Sequence, residues 1–236
     1  MISPRTTLAC AALAGLLAAV PAAAAVQNPI DPQWTVETSI GVLTDYRYRG
    51  YSLSDNQPAV QARVTASHAG GIYVDAYLST IDEYGAGSDG KGAQLEATLS
   101  AGWTGQVGGV DLDVGVSAYR YPGGTDVDYY EIPVQAGRTF GSLIWTFGAA
   151  WAPDGQTALG GEENRYVWTS LDFAPEEWRL RPRASLGFED GAYAPEGKTD
   201  WLLGLTTAAG QVTLAADYVD SDSDKGALVV SAFAAF

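Results

Sequence analysis

Leu228-Val229-Val230-Ser231-Ala232-Phe233-Ala234-Ala235-Phe236, the end of the chain, reads as one β-strand finishing on an aromatic residue. Terminal residues of a soluble domain fray unless something holds them. The closing strand of a membrane barrel instead sets its last aromatic in the interfacial girdle. The preceding residues answer to that expectation.

Upstream, segment after segment has a period of two. From Pro58 to Ser67 the apolar or small set is Pro58, Val60, Ala62, Val64 and Ala66, against Ala59, Gln61, Arg63, Thr65 and Ser67. From Ala93 to Trp103 it is Leu95, Ala97, Leu99, Ala101 and Trp103, against Gln94, Glu96, Thr98, Ser100 and Gly102. From Trp178 to Phe188, Leu180, Pro182, Ala184, Leu186 and Phe188 alternate with Arg179, Arg181, Arg183, Ser185 and Gly187. Successive side chains of a strand point to opposite faces, so each strand has one apolar and one wet face.

Twelve such segments begin near residues 34, 58, 72, 93, 110, 128, 143, 165, 178, 200, 211 and 227. Many have the length of about ten residues that a tilted strand needs to cross a bilayer. Short connections (69–71, 104–109, 138–142, 174–177, 208–210) alternate with longer polar ones (50–57, 82–92, 121–127, 153–164, 189–199, 219–226). That order predicts an all-β, transmembrane up-and-down antiparallel β-barrel of about twelve strands, with both termini on the short-turn, periplasmic side. A secreted β-sandwich also alternates its strands, but it has no reason to sort its loops by length. Its apolar face would also be richer in large core residues. Here Ala and Val fill mid-strand, while aromatics gather at the ends. Trp34, Trp103, Trp145, Trp178 and Phe236 are predicted at the periplasmic rim. Tyr46, Tyr48, Tyr130, Trp151, Phe188, Trp201 and Tyr218 are predicted toward the outer rim. Two aromatic belts around a thin apolar band are what a bilayer interface selects.

The other end reads as an export signal, residues 1–25. Arg5 supplies the positive start, Leu8–Val20 a short apolar core, and Pro21 to Ala25 small residues for cleavage. The domain is then 26–236. Cys10 lies in the leader, so the remainder has no thiol for a disulfide, a metal site or catalysis. The chain has 13 Lys and Arg against 28 Asp and Glu, a net charge of −15, which argues against a nucleic-acid partner. No apolar run after the leader is long enough for a spanning helix.

Charge placement orients the strands. Arg47, Arg49, Arg63, Arg179, Arg181 and Arg183 share the wet parity, as do Glu96 and Glu131. An arginine on the lipid face at mid-bilayer costs about 2–4 kcal/mol, so these side chains are predicted to line the lumen. Cross-strand Arg–carboxylate pairs are the natural expectation there. Those pairs either fill the lumen, or leave Arg179-Arg181-Arg183 as one wall of a transverse field that selects solutes by charge. All three lysines fall in predicted outer loops, beside acidic residues that attract cations to the mouth at low salt.

His68, the only histidine, follows Ser67, but neighbours in a strand point apart and cannot share a proton. The run Asp220-Ser221-Asp222-Ser223-Asp224-Lys225-Gly226 begins like a calcium loop. It has Lys225 where the turn glycine belongs and Ser231 where the closing glutamate would stand, so it reads as a solvated acidic loop. No enzyme activity, cofactor or metal is expected.

The segment Asp45-Tyr46-Arg47-Tyr48-Arg49-Gly50-Tyr51-Ser52-Leu53-Ser54-Asp55-Asn56-Gln57-Pro58-Ala59-Val60-Gln61 resembles the opening signature of the TorF family of porin-like bacterial outer-membrane proteins. Ile72-Tyr73-Val74, Tyr218-Val219-Asp220-Ser221-Asp222 and the terminal strand are further matches. The last strand lacks the basic residue often found before that family's final Phe. The resemblance implies an outer-membrane barrel embedded in lipid, taken up by the barrel-assembly machinery through the strand ending in Phe236. It also implies passive passage of small solutes or ions. The alternative is a closed structural or adhesive barrel that acts through its acidic outer loops.

Overall fold

The computed structural model describes residues 26–27, 31 and 33–236; the expected leader lies outside them. Twelve strands form the wall: β1 (Trp34–Leu43), β2 (Ala59–His68), β3 (Ile72–Tyr84), β4 (Ala93–Val107), β5 (Val110–Arg120) and β6 (Tyr129–Phe140). The second half is β7 (Leu143–Ala152), β8 (Asn164–Phe173), β9 (Arg181–Gly191), β10 (Ala194–Ala209), β11 (Val212–Ser221) and β12 (Ala227–Ala235). Each pairs antiparallel with its neighbours, and β12 returns to β1 through Ser231↔Leu43 to Ala235↔Ser39. Phe236 exchanges two backbone hydrogen bonds with Thr38, at 2.9 and 3.2 Å. The quoted terminal strand is thus the closing strand of a barrel with no free edge.

Alternation places the apolar residues outside. Ile40, Val42, Leu99, Leu186, Leu203 and Leu228 are each half or more exposed on the outer wall. A continuous apolar exterior of this kind suits lipid rather than water. Trp103, Trp145, Trp178, Trp151, Phe188 and Phe236 are also exposed, near the strand ends.

Three sequence expectations are corrected. The connection predicted at 189–199 is a two-residue turn at 192–193, because β9 and β10 continue upward as one tall hairpin with an irregular register between Glu189 and Gly191. That places Glu189 and Lys198, read as loop charges, on the inner wall with 2% and 1% exposure. The ninth strand begins at Arg181 rather than Trp178, so Arg179 lies exposed in the 174–180 connection. Tyr46 and Tyr48, assigned to the outer girdle, turn inward with the segment between β1 and β2.

Candidate functional site

The segment between β1 and β2 folds into the lumen. Arg47–Tyr48 and Tyr51–Ser52 pair as a miniature hairpin, whose tip holds Arg49 at φ 48° and Gly50 at φ 85°. Gly50 is required on two counts. A side chain is strained at that φ, and a Cβ would lie 2.7 Å from Ser221 Cβ and 3.0 Å from Asp200 Cβ on the far wall.

Hydrogen bonds within the segment shape it. Arg47 donates from Nε to Asp45 at 2.6 Å, from Nη1 to the Gly50 carbonyl at 3.0 Å and from Nη2 to Asn56 at 2.9 Å. Ser52 and Ser54 donate to the other Asp45 oxygen. Asp55 and Asn56 take positive φ at the outer turn. Arg47 therefore braces the hairpin internally instead of standing on a strand of the wall.

Arg49 ties the hairpin to the wall. Its Nη2 donates to Glu131 of β6 at 2.7 Å, and its Nη1 to Glu189 of β9 at 2.7 Å. The guanidinium lies 4.3 Å from the Tyr166 ring centroid and 4.7 Å from that of Tyr48. Burial alone would lower the Arg49 pKa, but Glu131, Tyr48 and Glu189 more than offset this and hold it well above its ordinary value. Lys198 Nζ sits 2.6 Å from the second Glu189 oxygen and 4.1 Å from the Tyr51 ring centroid. On the opposite side, Tyr46 donates to Glu96 of β4 at 3.1 Å and packs edge-on against Tyr77. Burial, then the charge of Glu96, raises the Tyr46 phenol well above its ordinary pKa. With Tyr48 also hydrogen-bonded to Tyr119 of β5 at 3.0 Å, the hairpin touches β3, β4, β5, β6, β8, β9, β10 and β11.

Below it, Arg63 pairs with Asp75 at 3.2 Å. Arg183 makes a two-pronged contact to Asp217, at 2.8 and 2.6 Å. Arg181 is exposed where β9 begins. Arg179, Arg181 and Arg183 therefore stand in three different settings: a turn, a rim and a neutralised buried pair. The structure brings Arg49, Glu131 and Glu189 together, and leaves Arg63 and Arg183 in separate pairs.

The remaining candidates serve local structure. His68 Nδ1 accepts the Gly70 N–H at 2.9 Å, and its ring packs edge-on to Trp34. In the 220–226 run, Asp220 accepts from Ser221 N, Asp222 from Thr199 N, and Asp224 from Ser52 N and Lys225 N. Those carboxylates hold backbone rather than converging on one point.

The sequence reading missed the interior tyrosines. Tyr73, Tyr77, Tyr119, Tyr129 and Tyr166 are buried inside the wall, with Tyr119 stacked on Tyr129 at 4.5 Å. Parity carried the signal, since Tyr73 and Tyr77 flank Asp75, and Tyr129 lies two residues before Glu131.

A family profile described as "Bacterial protein of unknown function (Gcw_chp)" matches residues 27–235. The chain belongs to this Gcw_chp family. No curated protein matches it significantly. Among solved structures, the KdgM porin aligns at TM-score 0.60 and 8% identity, over 85% of this chain and 99% of that one. A KdgM porin in complex with disordered oligogalacturonate aligns at TM-score 0.53 and 7% identity, covering 85% and 95%. The NanC porin aligns at TM-score 0.50 and 9% identity, covering 85% and 97%. At these identities the likeness is one of fold.

Proposed function

We propose that this Gcw_chp protein is a porin-like conduit of the bacterial outer membrane, passing small solutes or ions through a lumen narrowed by the 44–58 segment. One observation carries the reading: a closed twelve-strand wall, apolar outside, encloses a polar and charged interior crossed by a braced hairpin. A barrel serving only as an anchor would gain stability from an apolar filling, because buried charges carry a desolvation cost. Similarity in fold to KdgM and NanC supports the same reading. Arg49, Glu131, Glu189 and Lys198 would form the constriction, with Arg47 and Glu96 fixing the hairpin's position. Arg63, Arg183 and their carboxylates would line the path below, and Arg179 and Arg181 its periplasmic mouth. The strand ending in Phe236 would present the chain to the assembly machinery, and the outer wall would contact lipid.

The test is planar-bilayer recording with refolded 26–236. Discrete conductance steps support a conduit; a silent membrane holding a folded, heat-modifiable barrel overturns it. The second reading, a closed barrel acting through its acidic loops, is favoured by the many ties that Arg49 and Tyr46 make across the lumen. It requires function to survive lumen substitutions and to be lost on trimming residues 153–163.

A further inference from the structure

Among the described residues, four cations and seven carboxylates are buried. All four cations are committed: Arg47 to Asp45, Arg49 to Glu131 and Glu189, Lys198 to Glu189, and Arg183 to Asp217. Three buried carboxylates are left, Glu96, Asp113 and Asp200, and tyrosine hydroxyls hold each of them. Glu96 accepts from Tyr46 at 3.1 Å, from Tyr121 at 3.3 Å and from Thr98 at 3.3 Å. Asp113 accepts from Tyr73 at 3.0 Å, and Asp200 from Tyr166 at 3.1 Å. The second Asp200 oxygen, Oδ2, is buried with no hydrogen-bond partner, and so is Glu131 Oε1. Lys198, two residues before Asp200 on the same inner face, places its ammonium on Glu189 instead.

Hydroxyl donors favour the anionic form of a carboxylate and burial disfavours it, so a positive partner is what allows such a group to stay ionised out of water. Phenols supply dipoles but no charge, so the interior is short of cations by three. The three positions are spread along the barrel. Glu96 lies three residues into β4 from the long-loop end, and Asp200 pairs with Ser221 at the top of β11. Asp113 lies three residues into β5 from the short-turn end. Asp200 also stands against Gly50 at the tip of the hairpin.

We infer that Glu96, Asp200 and Asp113 are sites for small inorganic cations inside the barrel, and that they bias passage toward cations. The bias rests on the conduit reading; occupancy by cations does not. The arginine wall that would have favoured anions is neutralised at Arg183 by Asp217 and reaches only the rim at Arg181, so among the described residues no uncommitted buried cation opposes the excess of buried carboxylates. The outer loops act in the same sense but are screened within about 3 Å at 1 M salt, while buried charges are screened far less.

Two measurements separate the claims. Reversal potentials across a gradient of potassium chloride, taken at high salt to suppress the mouth, should give a K⁺ over Cl⁻ permeability ratio of roughly 3 or more. The ratio should fall by about half or more in Asp200→Asn and Glu96→Gln, which keep an oxygen to accept the tyrosine proton. A ratio at or below unity, or one unchanged in both variants, overturns the bias. Anomalous diffraction from crystals of the refolded chain in a thallium(I) salt reads occupancy without conduction. Density beside Asp200 Oδ2 that is lost in Asp200→Asn supports the sites, and none beside Asp200, Glu96 or Asp113 overturns them. A silent membrane with thallium bound would sink the conduit and leave the sites standing.

Discussion

At the residue scale the structure turns on Arg49. One guanidinium neutralises two carboxylates on strands that are not neighbours, β6 and β9, and does so from a loop. Arg49→Ala leaves Glu131 without its ion pair, and removing one partner of a buried pair costs about 3–5 kcal/mol. The urea midpoint in lipid vesicles should fall accordingly; an unchanged midpoint would mean that the hairpin does not dock through Arg49. Tyr46 makes the tie on the other side. Its phenol is raised above 10.0 by burial, so the protonated form is the one stabilised in the fold. The contribution is complete below about pH 10 and is lost as pH climbs toward the folded value. The midpoint should therefore drop between pH 10 and 11.5, and drop less in Tyr46→Phe, as followed by fluorescence. Arg183, Glu96 and Glu131 are buried and Arg63 is paired with Asp75, on the strand faces that alternation reads as wet, because alternation is a property of the strand itself. The same rule applied to tyrosine would have revealed the interior ring of phenols, but Tyr also belongs in girdles, and that second role masked the first.

At the scale of elements, the first hairpin and the ninth strand show where pattern fails. Arg47 and Arg49 have strand-like parity, yet they stand on a segment that leaves the wall and enters the lumen. Nothing in a period of two distinguishes the inside of a wall from the inside of a plug. Gly50 was the available clue, since a positive φ beside two arginines signals a tight tip. Gly50→Ala should cost about 1–3 kcal/mol through its φ and its approach to Ser221. If equilibrium unfolding shows no loss, the hairpin tip is not packed against β11. The tall β9–β10 hairpin was hidden for a different reason. Glu189, Asp190, Glu196 and Lys198 make 189–199 look like a loop by composition, but strands above a bilayer need no apolar face, so charge alone does not end them. Within the apolar band the opposite holds. Leu203, 62% exposed on β10, should tolerate arginine at a cost of about 2–4 kcal/mol in a bilayer. An equal or smaller loss in detergent alone is consistent with that; no loss in lipid would place Leu203 outside the membrane.

At the scale of the molecule, the strand count, the antiparallel order and closure through the terminal strand were legible, because each depends on local alternation and on the order of long and short connections. The state of the lumen was not, because it depends on where one polar segment goes in three dimensions. Closure joins Ser231–Ala235 to Ser39–Leu43, so the barrel is fixed independently of the hairpin inside it. The wall should therefore survive removal of its filling. The most direct test is single-channel recording of 26–236 beside a variant in which residues 46–56 are replaced by a short turn. A larger unit conductance for the variant than for the intact chain is the predicted result. Equal unit conductances, or two silent barrels, would contradict a conduit constricted by its first hairpin.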